Sequence, residues 1–448
     1  MRISLFARAA MVVCGTLLLL AGCGGGGSTG TAPTSTPNPI PTPTPAPPPT
    51  PTGLSVGGSI TGLDNSTGLT LVNGSEVLAI AANATSFAFA AAAAEGASYN
   101  VTVGEQPAGK LACTVNNPQG TVAQSNILSV AVNCAPRPFA GQYKGRYTVS
   151  TMPWEFKELV GIGADNSGNL YVADNGDRTV RKIAPSGAIT LLAGGGEAGY
   201  VDATGAAARF QVLSFLSTDK AGNVYVADYI PGTGTYYIRK ISPAGVVTTL
   251  TKFNDFIAGF AADNAGALYF VVGHKVLKMS PAGVLSTFAG SDMSGFADGQ
   301  GTQAGFYFPQ GLTVDASGNV YVADLQASRL RKITSQGLVS TLDSLYLDPG
   351  RGMGGPFHVA VDRDGNVYAA EYAVSGSVRW NNLDQWAYVR AVDSTGTSFS
   401  LTGFNKFGNT DGPADGARFG KLSGITVDGA GYIYLADSGN KRIRKISP

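Results

Sequence analysis

The chain has 448 residues, including 61 Gly, 24 Pro and 2 His, with 14% charged and 44% hydrophobic residues and a formal net charge of +1. Charge well below the roughly 25% of typical soluble domains, with about twice the usual share of Gly, points to short strands joined by tight turns rather than to disorder. A near-zero charge without basic blocks disfavours nucleic acid as a partner, and two histidines exclude a three-His zinc site.

Arg2 and Arg8 precede an apolar run from Ala9 to Ala21. That run is shorter than the roughly 20 residues that span a bilayer, so residues 1–22 read as an export signal. It ends in Leu20-Ala21-Gly22-Cys23, which resembles the bacterial lipobox. The resemblance implies that Cys23 is lipidated and becomes the mature N-terminus. Such a lipoprotein is anchored in the periplasm or at the cell surface. Residues 23–52 are rich in Gly and then in Pro and Thr (PTSTPNPIPTPTPAPPPTPT). This composition buries no core and favours polyproline II at about 3.1 Å per residue. The segment reads as a semi-rigid stalk, with a Pro-rich ligand as the alternative.

Residues 53–135 contain short alternating segments, among them SVGGSITGL, SYNVTVG and ILSVAVNC, punctuated by turn residues. They predict a small antiparallel β-sandwich that serves as a spacer or a carbohydrate contact. The module resembles the Ig-like or prealbumin-like repeats of bacterial surface proteins. Ala90 to Ala94 is helix-friendly but too short to form a helix alone. Cys113 and Cys134 remain as one pair, and in an oxidising compartment they are expected to form a disulfide. Residues 136–146 form a linker.

From Gly161 onward one pattern recurs six times, with G-x-x-Y segments starting at Gly168, Gly222, Gly266, Gly318, Gly365 and Gly431. Each copy reads as four strands: G-x-x-x-D, N-x-Y-x-A-D, R-x-R-K-I and V-x-T-L. The D-x-x-G-N and S-P-x-G links are tight hairpins, with Gly available for positive φ. Four short strands per repeat indicate a β-propeller. The combination of G-N-x-Y-V-A-D with R-x-R-K-I-x-P-x-G resembles NHL repeats over about two-thirds of the chain. The resemblance implies an all-β, six-bladed NHL-type propeller across residues 147–448. The last copy stops at Arg444-Lys445-Ile446-Ser447-Pro448 without its fourth strand. Residues Tyr147–Met152 resemble a fourth strand and are expected to complete the sixth blade, which removes an open edge.

The short hairpins share one face, and the longer connections share the other, so the linker face is the expected binding face. Three linkers match each other there: GYVDATGAAARF (Gly199–Phe210), GFADGQGTQAGF (Gly295–Phe306) and GNTDGPADGARF (Gly408–Phe419). Asp202, Asp298 and Asp411 are expected to cap short helical turns whose Phe wedges between blades, or else to contact a ligand. Asp174, Asp228, Asp324, Glu371 and Asp437 end the second strands, with Val272 in that position in blade three. Turn capping and ion pairs with Arg178, Arg329 and Arg442 would explain them. A ring of acids binding a cation is the alternative.

Six residues lead the first strands that line the channel: Gly161, Phe215, Gly259, Gly311, His358 and Gly424. His358 is therefore the one catalytic candidate, although no paired base or nucleophile accompanies it. His274 falls in a blade-three hairpin and is expected to be exposed. An insertion in blade five, SGSVRWNNLDQWAYVRAV, places Trp380 and Trp386 in one irregular connection, suited to a sugar or peptide or to covering the blade edge. The favoured function is a non-catalytic binding or scaffold module for protein, peptide or glycan. The alternative is a propeller enzyme of the lactonase or lyase type, using a channel cation or His358. A Ca²⁺ site would need several carboxylate or amide side chains in the channel. The leading residues there are mainly Gly, so no metal or other cofactor is expected.

Overall fold

In Ser98–Glu105 every second side chain is buried: Tyr99, Val101 and Val103. This period of two is what a strand needs to turn one face to a core. The computed structural model describes residues 54–107, 111–136, 147–344, 353–374, 385–394 and 396–447. The export signal, Cys23, the stalk and Trp380 lie outside them. Among the described residues no helix is long and apolar enough to cross a membrane.

Two four-stranded sheets form the first module. One runs in the order Ser86–Ala88, Val56–Thr61, Ile127–Pro136, Leu111–Asn116, and the other in the order Glu76–Ala79, Thr70–Asn73, Ser98–Glu105, Gln119–Thr121. Leu71, Val101, Val130 and Val132 are buried in its core. The expected all-antiparallel pairing needs one correction: Val56–Thr61 runs parallel to Ile127–Pro136. The chain crosses repeatedly between the two sheets, and its first and last strands meet side by side in the same direction. Cys113 and Cys134 stand opposite each other on neighbouring strands, 3.9 Å apart at Cα, and are joined by a disulfide.

Among the described residues six further antiparallel sheets follow, here called blades one to six in chain order. Their first strands are Leu159–Ala164, Leu213–Thr218, Ile257–Ala262, Pro309–Val314, Met353–Val361 and Leu422–Val427. These strands neighbour one another in sequence order, and the last returns to the first. The sheets therefore surround a central channel, and the fold is a β-propeller. The closing strand behaves as its sequence suggested. Thr148–Glu155 lies antiparallel to Arg442–Ser447, with Val149 opposite Ile446, and is the fourth strand of blade six.

Each D-x-x-G-N hairpin is built alike. In blade one Asp165 Oδ1 accepts the N–H groups of Ser167 and Asn169, both at 2.9 Å. Its Oδ2 accepts Asn169 Nδ2 at 2.8 Å and the Tyr171 hydroxyl at 2.9 Å. The glycines of the six hairpins hold φ between 75° and 87°, a region that side chains with a Cβ rarely adopt.

The three matching linkers do not stay on the linker face as free loops. Each is pinned at its neck, as by the Gly295 N–H on the Phe306 carbonyl at 3.0 Å. It then runs along the outer edge of the next blade. Gly299–Gln300 pairs with Val339 and Leu338, and Gly412–Pro413 pairs with Val149 and Thr148. In the first linker the Val247 N–H reaches the Ala203 carbonyl at 2.9 Å. The physical reason is the edge itself, whose unpaired N–H and C=O groups the linker satisfies. Phe210, Phe306 and Phe419 are fully buried wedges. The capping role expected of the linker aspartates is not observed. Gly205–Ala207 and Gly301–Gln303 form 3₁₀ turns, but Thr204 and Gln300 occupy the cap positions without a side-chain cap bond.

Candidate functional site

The aspartates of the linkers and second strands converge on buried arginines. Arg239, Arg331 and Arg444 have no solvent exposure. Each lies between two carboxylates. Arg331 meets Asp324 at 3.2 Å and Asp298 at 2.8 Å. Arg239 meets Asp228 at 2.9 Å and Asp202 at 2.6 Å. Arg444 meets Asp437 at 3.0 Å and Asp411 at 2.6 Å. The wedge phenylalanines lie beside the guanidinium groups at 5.1 to 5.3 Å from ring centroid to Cζ. Asp202, Asp298 and Asp411 also accept main-chain N–H groups from Thr249, Thr341 and Thr151. Thr151 belongs to the closing strand, so blade six repeats the arrangement of blades two and four.

The pairing expected with Arg178, Arg329 and Arg442 is therefore corrected. The second arginine of R-x-R-K-I carries the contact in blades four and six. Arg329 instead donates to the Phe296 carbonyl at 3.0 Å, and Arg442 pairs with Glu155. Arg178 stands in its turn at φ 55°. In blade five, buried Glu371 meets Arg390 at 2.7 Å, and Arg390 also pairs with Asp343, a partner that sequence reasoning missed. Asp174 accepts the N–H groups of Lys157 and Glu158 at 2.9 and 2.8 Å, while Arg181 pairs with Asp177.

Burial pushes Asp228 and Asp324 up to about 6, although the neighbouring arginines and N–H donors oppose it. Burial likewise raises Asp437 and Glu371. Burial also works against the charged forms of Asp202, Asp298 and Asp411. There the threonine and arginine donors more than offset it and hold these carboxyls below the usual range. All these named acids thus have partners within the chain, and they tie blades and linkers together.

The channel holds a cavity of about 230 Å³ lined by all six leading residues, including His358. The glycines there have a packing reason. A Cβ on Gly311 would come within 2.7 Å of the Phe357 carbonyl, and one on Gly259 within 2.9 Å of the Gln310 carbonyl. At these two positions the next first strand leaves no room for a Cβ. His358 Nδ1 is 3.5 Å from where a Cβ on Gly311 would stand, and its ring is 5.3 Å from Phe357. Burial and the charge of Lys421 lower the His358 pKa to about 4, so the imidazole is neutral near pH 7. The hairpin aspartates 165, 219, 263, 315, 362 and 428 also line the cavity, each engaged by its own hairpin. Among the described residues no group of three or more His, Cys, Asp or Glu is placed to hold a metal ion. His274 is half-buried rather than exposed, packed within the turn before Lys275–Met279.

Aromatic residues collect at the linker-face ends of the first strands. Phe256 is 59% exposed and Phe308 48% exposed, and Phe308 holds φ at 64°. Phe357, Tyr372 and Phe407 form a chain of edge-to-face contacts at 5.7 and 6.0 Å. Trp386 is not in an irregular connection as expected. It lies in the strand Gln385–Val392, because W-A-Y-V-R-A-V alternates as a strand, and it stacks on Phe404 at 5.5 Å.

Residues 306–333, which include the first three strands of blade four, match the NHL repeat family. The chain carries an NHL repeat. Among curated proteins no match was found. Several solved structures are similar at low identity. One is a structural genomics protein of unknown function from Bacteroides thetaiotaomicron, 19% identical over 86% of this chain and 92% of that chain, with a TM-score of 0.48. Another is an auxiliary nutrient binding protein from the same organism, 14% identical over 88% of this chain and 98% of that chain, with a TM-score of 0.45. A gluconolactonase from Xanthomonas campestris is 15% identical over 69% of this chain and 93% of that chain, with a TM-score of 0.43.

Proposed function

We propose that this chain is an exported lipoprotein, anchored through Cys23, whose propeller is a non-catalytic binding module. Its ligand, a protein, peptide or glycan, lies on the linker face at the mouth of the channel. One observation carries the reading: Phe308 presents a half-exposed ring from a backbone at φ 64°, a conformation that is costly for a bulky residue. Strain of this kind persists where the surrounding structure holds a side chain in place for a task. Phe256 and Phe296, both 59% exposed, and Met293, 79% exposed, add apolar surface on the same linkers. Exposed aromatic rings suit sugar faces and peptide side chains. The Arg2-to-Cys23 segment supports export and anchoring.

The test is binding of the lipid-free Cys23→Ser chain to arrays of bacterial glycans and of peptides. Phe256→Ala with Phe308→Ala is expected to weaken the best hit at least about tenfold, as loss of two aromatic anchors would. Retention unchanged by that pair removes the collar as the site. A second reading draws on His358, whose neutral imidazole could take a proton in the channel. Lactone turnover by the wild type that is lost in His358→Gln would establish it. On the binding reading, His358→Gln leaves array retention intact.

A further inference from the structure

Among the described residues, the first module touches the propeller through the loop Glu105–Pro107. Gln106 is buried, and its side chain is fixed: Nε2 donates to the Cys113 carbonyl at 2.9 Å, and Oε1 accepts the Cys113 N–H at 2.7 Å. Its main-chain carbonyl is thereby presented to blade five, where Arg363 Nη1 donates to it and, at 3.2 Å, to the Pro107 carbonyl. Glu105 and Gln106 line the channel cavity beside the hairpin aspartates. Gln106 Cγ lies 3.8 Å from where a Cβ on Gly429 of blade six would stand. The loop thus overhangs the hairpin-face mouth from blades five and six. Lys220, Asn264 and Ala316, on the hairpins of blades two to four, are exposed.

The chain enters the module at the other end. Val56 stands opposite Ile127, whereas Thr61 stands opposite Asn133, next to Cys134 and its partner Cys113. At about 3.3 Å per residue, the strand Val56–Thr61 separates the two ends by roughly 17 Å.

We infer that the sandwich is a spacer that docks its Glu105–Pro107 loop on the hairpin face of the propeller and occupies it. An interaction surface on the hairpin face is thus taken up within the chain, and the aromatic collar is left to an outside partner.

Two measurements test this on the full chain. In Gln106→Cys with Gly429→Cys, oxidation is expected to join the two new cysteines while Cys113–Cys134 stays paired, as read by peptide mapping. Absence of that cross-link overturns the docking. If the pair does not fold, small-angle scattering of Arg363→Glu replaces it: a larger radius of gyration than the wild type is expected, and an identical curve overturns the docking.

Discussion

Arg331 shows how much of the chemistry of this chain is internal. It is buried between Asp324, itself fully buried, and half-exposed Asp298. Arg331→Met alone leaves a buried carboxylate without its cation and should cost about 3–5 kcal/mol in urea unfolding. Arg331→Met with Asp324→Leu should recover most of that loss. The pH dependence separates the two acids. Asp298 has a lowered folded pKa, so its contribution is present above the unfolded value of 3.8 and is lost as pH falls through the folded value. The stability gap between wild type and Asp298→Asn is therefore expected to be full at neutral pH and to close in acid. Asp324 is raised to about 6, so its own contribution is present below 3.8 and fades as pH rises through about 6. His358, lowered from 6.5 to about 4, favours the folded chain above pH 6.5 and ceases to do so as pH falls through 4. His358→Gln should remove that part of the acid slope in a melting series. The acids were legible in the sequence, but their partners were not. Register sets Arg329 directly opposite Asp324, and spacing alone favours it. Arg331 is the diagonal neighbour on the same face, deeper in the wedge where the second carboxylate arrives. That second carboxylate comes from a linker remote in sequence.

The elements divide in the same way. The four-strand repeat and the closing strand could be read from apolar alternation and turn chemistry, because both are local signals. Deleting residues 147–152 removes most of the outer strand of blade six and the Thr151 donor to Asp411. Calorimetry of that deletion should show a lower and broader melt, and an unchanged cooperative melt contradicts the closure. The likeness of the three linkers was equally visible. Their destination was not, because pairings as short as Gly299–Gln300 with Val339 and Leu338 leave no hydrophobic pattern. The glycines of the channel also needed the fold. Their role lies in the close approach of the next blade, as between Gly311 and His358.

At the scale of the molecule, the sandwich and the propeller could be read separately, but not their contact, which depends on the carbonyls of Gln106 and Pro107 and on one arginine of a hairpin. The aromatic collar was missed for a related reason. Phe256 and Phe308 look like ordinary core residues until the fold leaves them exposed. On the proposed function, Phe308 is held in strain for binding. Phe308→Gly in the full chain tests it most directly, with melting temperature and array retention measured on the same preparation. Glycine adopts φ 64° freely. A melting temperature no lower than that of the wild type, together with loss of retention, is expected. A lowered melting temperature with retention intact would make Phe308 a packing residue and remove it from the binding site.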